Sequence, residues 1–348
     1  MDWSNPASPP LPAHVDYVTD GTADARDALA FAVETLSDPL TAGLFLVGGV
    51  AVALFVGGWL WRRPSVPDFD VLRATLAGYR ELVPWMLRLA MGLPLVGAGF
   101  AGYFFSPVVA GPGSRLPLIV LGFLLLFGLA TRVSAAAALA LYLAGLASDP
   151  TLLLAFEYVG GLAALVLLGG GRPSADHMLE QVAATDGTLY NRVDPVHRLA
   201  ARFRAVVGPF ERYAPTVLRV GTGLTFAYLG VVEKLLDPGR AALVVAKYEL
   251  TAVVPVSEGA WILGAGLVEL AVGLALVAGA FTRGTGALAF VVLTTTLFGL
   301  PDDPVLAHVT LFGLVSAVFT LGAGPLSFDR YLAGAAHPRP ERGAEPAD

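Results

Sequence analysis

Leu40 to Trp61 reads LTAGLFLVGGVAVALFVGGWLW, an apolar stretch without one charged residue. A helix of about 20 apolar residues crosses the ~30 Å hydrocarbon core of a bilayer. Lipid offers the backbone no hydrogen-bond partners, so a chain built from such stretches crosses as helices or as a closed barrel. Further apolar runs of helical length fill most of the sequence. Only 14% of the 348 residues are charged and 55% are hydrophobic, where a soluble domain carries about 25% charged residues. The expectation is an all-α integral membrane protein.

The runs predict about nine transmembrane helices. An N-terminal span covers 40–61, with Trp59, Trp61, Arg62 and Arg63 as an interface anchor. Two groups of four follow: about 84–105, 115–130, 133–147 and 151–169, then about 215–234, 260–281, 284–300 and 305–321. Residues 1–39 form an acidic, Pro-rich segment in which Thr22–Ser37 has helical periodicity. It has no basic start and no early apolar core, so it does not read as a cleavable signal. Residues 64–83 are polar and amphipathic. Residues 179–214 read as a linker with an amphipathic helix near 195–210, and 333–348 as a disordered tail.

The two groups of four echo each other. Pro84, Leu87, Arg88, Gly92, Leu93, Gly99 and Pro107 recur 131 residues later as Pro215, Leu218, Arg219, Gly223, Leu224, Gly230 and Pro238. Thr131-Arg132 recurs as Thr282-Arg283, Asp149-Pro150 as Asp303-Pro304, and Gly171, Ser174 and Asp176 as Gly324, Ser327 and Asp329. The pattern predicts tandem four-helix bundles, 84–178 and 215–332. The second carries about 20 extra residues, Gly239–Gly259, able to cap the bundle or dip into it. Four spans per repeat is an even number, so the repeats run parallel.

Basic residues set the orientation. With the N-terminus outside and nine spans, Arg26, Arg115, Lys234, Arg240 and Lys247 lie outside and the other 17 of the 22 Lys and Arg lie inside. This predicts a plasma-membrane protein with a cytoplasmic C-terminus. Arg88 and Arg219, at inner helix starts, read as positive-inside anchors.

Ionisable residues inside a bilayer are costly and mark candidate sites. The second repeat has Glu233 and Lys234 at the outer end of its first helix, Asp237 just beyond, and His308 at the outer start of its last. Glu269 lies nine residues into 260–281, ~14 Å from the outer end at 1.5 Å per residue. Gly266 and Gly273 share its helix face, which permits close helix approach and places Glu269 inside the bundle. Glu269, Lys234, His308 and Glu233 are therefore the candidate catalytic residues. The competing readings make Glu233 and Lys234 an interfacial anchor, Glu269 a structural contact and His308 an interfacial hydrogen-bonder. The first repeat has Gly102, Tyr103 and Leu118 at the places of Glu233, Lys234 and Glu269. Its own buried acid is Glu157, opposite Thr310 in the repeat.

The absences narrow the chemistry. No cysteine is present, which excludes disulfides, thiol redox chemistry and Cys-ligated metals. Of His14, His177, His197, His308 and His337, only His308 lies in a span, so no histidine pair ligates a haem. No bound metal or haem is expected. No basic cluster with interleaved aromatics points to nucleic acid.

LRVGTGLTFAYLGVVEKLLDP, GAGLVELAVGLALVAGAFTR and GAGPLSFDRYL together resemble the DoxX/DoxD-like family of four-helix membrane proteins. The shared pattern falls on Arg219, Gly223, Gly230, Lys234, Asp237, Pro238, Glu269, Thr282, Arg283, Gly324, Ser327 and Asp329. It covers about 215–332 well and 84–178 in a degenerate form. The resemblance implies membrane-associated oxidoreductase work, in one branch thiosulfate–quinone oxidoreduction with a partner subunit. The expected function is a redox-accessory or quinone-interacting membrane subunit. Its partners would be lipids and a second redox subunit, and quinone a possible cofactor. A small-solute or ion carrier and a non-catalytic scaffold or assembly factor are the alternatives.

Overall fold

The computed structural model describes residues 26–62, 64, 66–111, 113–193, 196–300 and 305–336. The readings of the Pro-rich N-terminus, of Arg63, of Asp303-Pro304, of His14 and His337 and of the tail beyond 336 lie outside these residues. The described chain is almost entirely helical. α1 (Ala28–Ser37), α2 (Pro39–Arg62) and α3 (Pro67–Gly78) lead into a first half of α4 (Val83–Ala101), α5 (Arg115–Phe127), α6 (Thr131–Ser148) and α7 (Glu157–Leu168). A linker of α8 (Ala175–Ala184), α9 (Leu189–Val193) and α10 (Val196–Val207) follows. The second half opens with α11 (Ala214–Tyr228), continued by a π-helical segment, Leu229–Leu235. After it come α12 (Pro238–Lys247), α13 (Leu250–Val253), α14 (Glu258–Ala278), α15 (Thr282–Gly299), α16 (Val305–Leu321) and α17 (Phe328–Ala336).

Among the described residues, five helical stretches are long and apolar enough to cross a membrane: Pro39–Arg62, Arg80–Ala101, Thr131–Ser148, Ala200–Leu235 and Glu258–Ala278. Shorter apolar helices include Arg115–Phe127, Glu157–Leu168 and His308–Leu321. Several apolar helices of this kind fit a membrane protein. α2 is the clearest case: only 6% of its apolar window is buried by protein. In water such a face would be an extensive exposed apolar patch.

The two halves repeat the same contacts. α4 packs on α5 as α11 packs on α14, and α6 packs on α7 as α15 packs on α16. The close approaches come from glycines. A Cβ on Gly92 would meet Gly122 O at 2.9 Å, and a Cβ on Gly223 would meet Gly273 O at 2.6 Å. The turn after α5 enters the left-handed region at Gly128 (φ 66°) and Ala130 (φ 49°), and the turn after α14 does so at Gly279 (φ 66°) and Phe281 (φ 49°). An aspartate pins each turn. Asp176 accepts from the backbone N–H groups of Ala130 and Thr131 at 2.6 and 2.8 Å. Asp329 accepts from those of Phe281 and Thr282 at 2.7 and 2.9 Å. These bonds give the unusual backbone of Ala130 and Phe281 a reason to persist.

Arg88 and Arg219 depart from expectation. They are buried, 3% and 1% exposed, and are not interface anchors. Arg88 donates to the carbonyls of Leu125, Leu126, Gly170 and Pro173. Arg219 donates to those of Leu276, Val277, Ala323 and Leu326. Each guanidinium satisfies carbonyls left open where one helix ends and the exit from another begins. Five fixed donors in a fork suit that task, and burial is tolerable because the donors are matched.

The halves meet through their first and last helices. α7 lies against α11, and α16 against α4. Gly160 and Gly221 make the first contact so close that a Cβ on Gly221 would sit 2.6 Å from Gly160 Cα. Gly313 against Ala90 makes the second. Leu87, Met91, Leu162, Leu218, Leu314 and Val318 then form one continuous core across both halves.

The halves differ after their first helices. In the first, α4 stops at Gly102 (φ 87°) and a hairpin follows, β1 (Tyr103–Phe104) antiparallel to β2 (Ser106–Ala110). The expected span to 105 is therefore shorter, and the hairpin was not expected. In the second, the helix runs on and the extra residues fold into α12 and α13 over α14. Pro107 lies in β2, whereas Pro238 opens α12. Their matching spacing is not structural equivalence, which ends at Gly99 and Gly230. A second apolar cluster joins Phe31 of α1 to Ala241, Ala242, Val245, Leu250, Ile262 and Leu263. The N-terminal helix thus packs on α14 and joins the apolar cluster that α14 shares with the extra segment.

Candidate functional site

Glu269 lies near the middle of the 21-residue α14. Gly266 and Gly273 bring that face onto α11 and its continuation, as the spacing of small residues predicts. A Cβ on Gly266 would collide with Leu235, and one on Gly273 with Ala227 N at 2.5 Å. The carboxylate therefore points into protein.

Its partner is Lys234. Nζ donates to Glu269 Oε2 at 2.8 Å. The side chains keep 22% and 14% of their exposure, so the pair is sheltered but reachable. Lys234 stands in the π-helical segment, where Leu236 N–H bonds Val231 O at 2.8 Å, five residues back. Such i→i+5 turns are rare and cluster at functional sites. The wider turn shrinks the angular step between neighbours, so adjacent Glu233 and Lys234 both face protein. Glu233 is 5% exposed and acts electrostatically on Lys234 together with Glu269. Two carboxylates thus flank one ammonium.

The roof over this set is α12. Asp237 caps it, accepting from Arg240 N at 3.2 Å, and pairs with Arg240 Nε at 3.0 Å. α12 packs on both α14 and the π-helical segment. Thus the extra segment caps the bundle, and Asp237 is a structural cap. His308 is buried at 4% exposure in the first turn of α16. It and Glu233 are each engaged in a polar, ionic or ring contact. Glu258 lies at the edge instead, paired with Arg26 of the N-terminal segment at 2.9 Å. Beside it, a depression of about 560 Å³ is lined by residues between Val245 and Glu258, and neither Lys234 nor Glu269 borders it.

Lys234 has three N–H donors, of which Glu269 takes one. The rest can serve a ligand oxygen, and Glu269 Oε1 can accept a hydrogen bond or proton. Among the described residues, no three His, Asp or Glu side chains gather to hold a metal. Sequence reasoning missed the π-helical turn and the roles of Arg88 and Arg219. The repeated spacing of both arginines within matched glycines was the available signal, since an interface anchor need not keep register with helix-contact glycines. Comparison with known protein families, characterised proteins and solved structures finds no match to this chain.

Proposed function

We propose that the chain is a DoxX-like membrane subunit, arisen by duplication, in which the second half keeps a quinone-interacting or redox-accessory site. The observation that carries this reading is the Lys234–Glu269 pair, 2.8 Å long, mid-helix and under a dedicated helical roof. A buried ion pair is poor evidence of stabilisation, because apolar residues of similar volume do as well or better. Its retention beneath a roof that the first half lacks favours a binding role. An ammonium beside a carboxylate offers a donor and an acceptor to the carbonyl and hydroxyl oxygens of a quinone or quinol. The apolar helices around it suit the hydrophobic remainder of such a molecule. Glu233 would supply a further proton-exchanging group nearby.

In this reading nine helices span the plasma membrane, with α5, α7 and α16 among them as short spans. The halves run parallel, the N-terminus and the α12 roof lie outside, and a second redox subunit completes the assembly.

The test uses the purified full chain and a short-chain ubiquinone analogue, with binding followed by tryptophan fluorescence. Glu269→Gln and Lys234→Met are each expected to weaken binding about tenfold or more, equivalent to ~1.4 kcal/mol. Unchanged affinity in both overturns the quinone reading. Solute uptake into proteoliposomes that depends on Glu269, without quinone binding, replaces it with the carrier reading.

A further inference from the structure

Glu157 is the first residue of α7 and is 5% exposed. It sits where α7 of the first half meets α11 and α16 of the second. Thr310 Oγ1 of α16 donates to its Oε1 at 3.2 Å. Its Oε2 is buried and has no hydrogen-bond partner. The other hydroxyl beside it is Thr225 of α11. Thr225 Oγ1 also donates to Gly221 O at 3.1 Å, so its single hydrogen is contested while its lone pairs stay open to a cation.

His308, two residues before Thr310 on α16, is buried and engaged in a contact of its own. Among the described residues, the titratable side chains beside Glu157 are otherwise tyrosines. They are Tyr142 of α6 and Tyr158 of α7, with Tyr103 of the hairpin next to Tyr158. Tyr142 donates its hydroxyl to Leu152 O at 2.7 Å. Phe105 closes the aromatic group, its ring edge-on to Tyr142 and Tyr158 at 5.1 and 5.0 Å. α4 contributes Arg88, but its guanidinium is held by carbonyls at the opposite end of α7. A bare carboxylate in such surroundings is strongly disfavoured unless a cation accompanies it.

We infer that Glu157 Oε2, with the hydroxyl oxygens of Thr310 and Thr225, holds one small monovalent cation, a proton or a sodium ion, at the junction of the two halves. The site is separate from Lys234–Glu269 and does not depend on that pair's role. Its occupant completes the packing of α7 on α11 and α16. Losing it leaves a charge between two halves that meet backbone to backbone at Gly160 and Gly221.

The experiment is thermal unfolding of the purified full chain, wild type and Glu157→Gln, across a pH series. Choline chloride and sodium chloride are compared at equal ionic strength. A cation held only by the folded protein stabilises it by mass action. In choline, the wild type is expected to lose stability as pH rises, because the folded state holds a proton that the unfolded state releases. The Tm difference relative to Glu157→Gln should change by about 2–4 °C. Recovery at high pH in sodium identifies a sodium site, and no recovery identifies a proton site. Identical pH and sodium profiles for the two proteins overturn the inference. If Glu157→Gln does not fold, infrared spectra of the wild type decide. A protonated-carboxyl band in sodium-free buffer is expected, and its absence at mildly alkaline pH overturns the inference.

Discussion

Arg219 occupies in the second half the place of Arg88 in the first, and the two hold corresponding sets of four backbone carbonyls. Those carbonyls belong to the end of the second helix and the exit from the fourth. One side chain therefore ties three helices of its half together at one end. A lysine has a single ammonium and cannot reach all four. Arg219→Lys is expected to lower stability by about 3 kcal/mol or more, given ~1.5–3 kcal/mol per charge-assisted hydrogen bond. Reversible unfolding in mixed detergent measures it. A cost below 1 kcal/mol, by the same scale, would show that water replaces the lost donors.

Lys234 and Glu269 predict non-additive behaviour. Removing Lys234 takes the ammonium from both Glu269 and Glu233, and removing Glu269 leaves Lys234 with Glu233 alone; breaking a sheltered pair in this way costs up to roughly 3–5 kcal/mol. Lys234→Met and Glu269→Leu should each destabilise by that order. The double variant should recover part of the loss, because Glu233 also faces the missing ammonium. A double-mutant cycle on unfolding free energies is the measurement, and additive losses would mean that the pair is solvated rather than protein-bound.

The junction of the halves depends on Gly160 and Gly221. Gly221→Ala places a methyl group 2.6 Å from Gly160 Cα. Backbone cannot yield as a side-chain tip does, so the expected cost is about 1–3 kcal/mol or more. Gly48→Ala in α2 meets nothing within 4 Å and serves as control. Equal melting temperatures for both variants would place the junction elsewhere.

Arg26 and Glu258 should matter little. Their side chains are 40% and 41% exposed, and exposed pairs contribute at most ~1 kcal/mol. Arg26→Ala is expected to leave stability nearly unchanged, because Phe31 docks α1 through apolar contact. Phe31→Ala should release α1, read as new protease cleavage near Ser37.

Much of the helical layout was legible in the chain. α4, α6, α14, α15 and α16 lie close to the apolar runs that announce them, because burial in lipid or protein demands the same composition. The glycine spacing also foretold which face of α14 turns inward, since only small residues let two backbones approach. Glu269 was placed inside the bundle on that ground, and Lys234 meets it there. Legibility failed where local signals are ambiguous. Pro107 and Pro238 share a spacing but not a structure, since a proline opens a helix or sits at a strand edge equally well. Arg88 and Arg219 look like interface residues because charge at a helix start usually meets water. Nothing local announces that carbonyls distant in sequence will converge on them.

By itself the sequence determined a chain of long apolar helices, of a kind that fits a membrane protein, with repeated residue spacings and its unusual charges gathered in the second set of helices. Those are consequences of composition and spacing, which act within a helix. Only the tertiary structure decided the partners: Lys234 for Glu269, four carbonyls for each buried arginine, Thr310 for Glu157, Gly160 for Gly221. A partner is chosen by the register between helices far apart in the chain. One extra residue in a turn, as in Leu229–Leu235, is enough to change which side chain faces which.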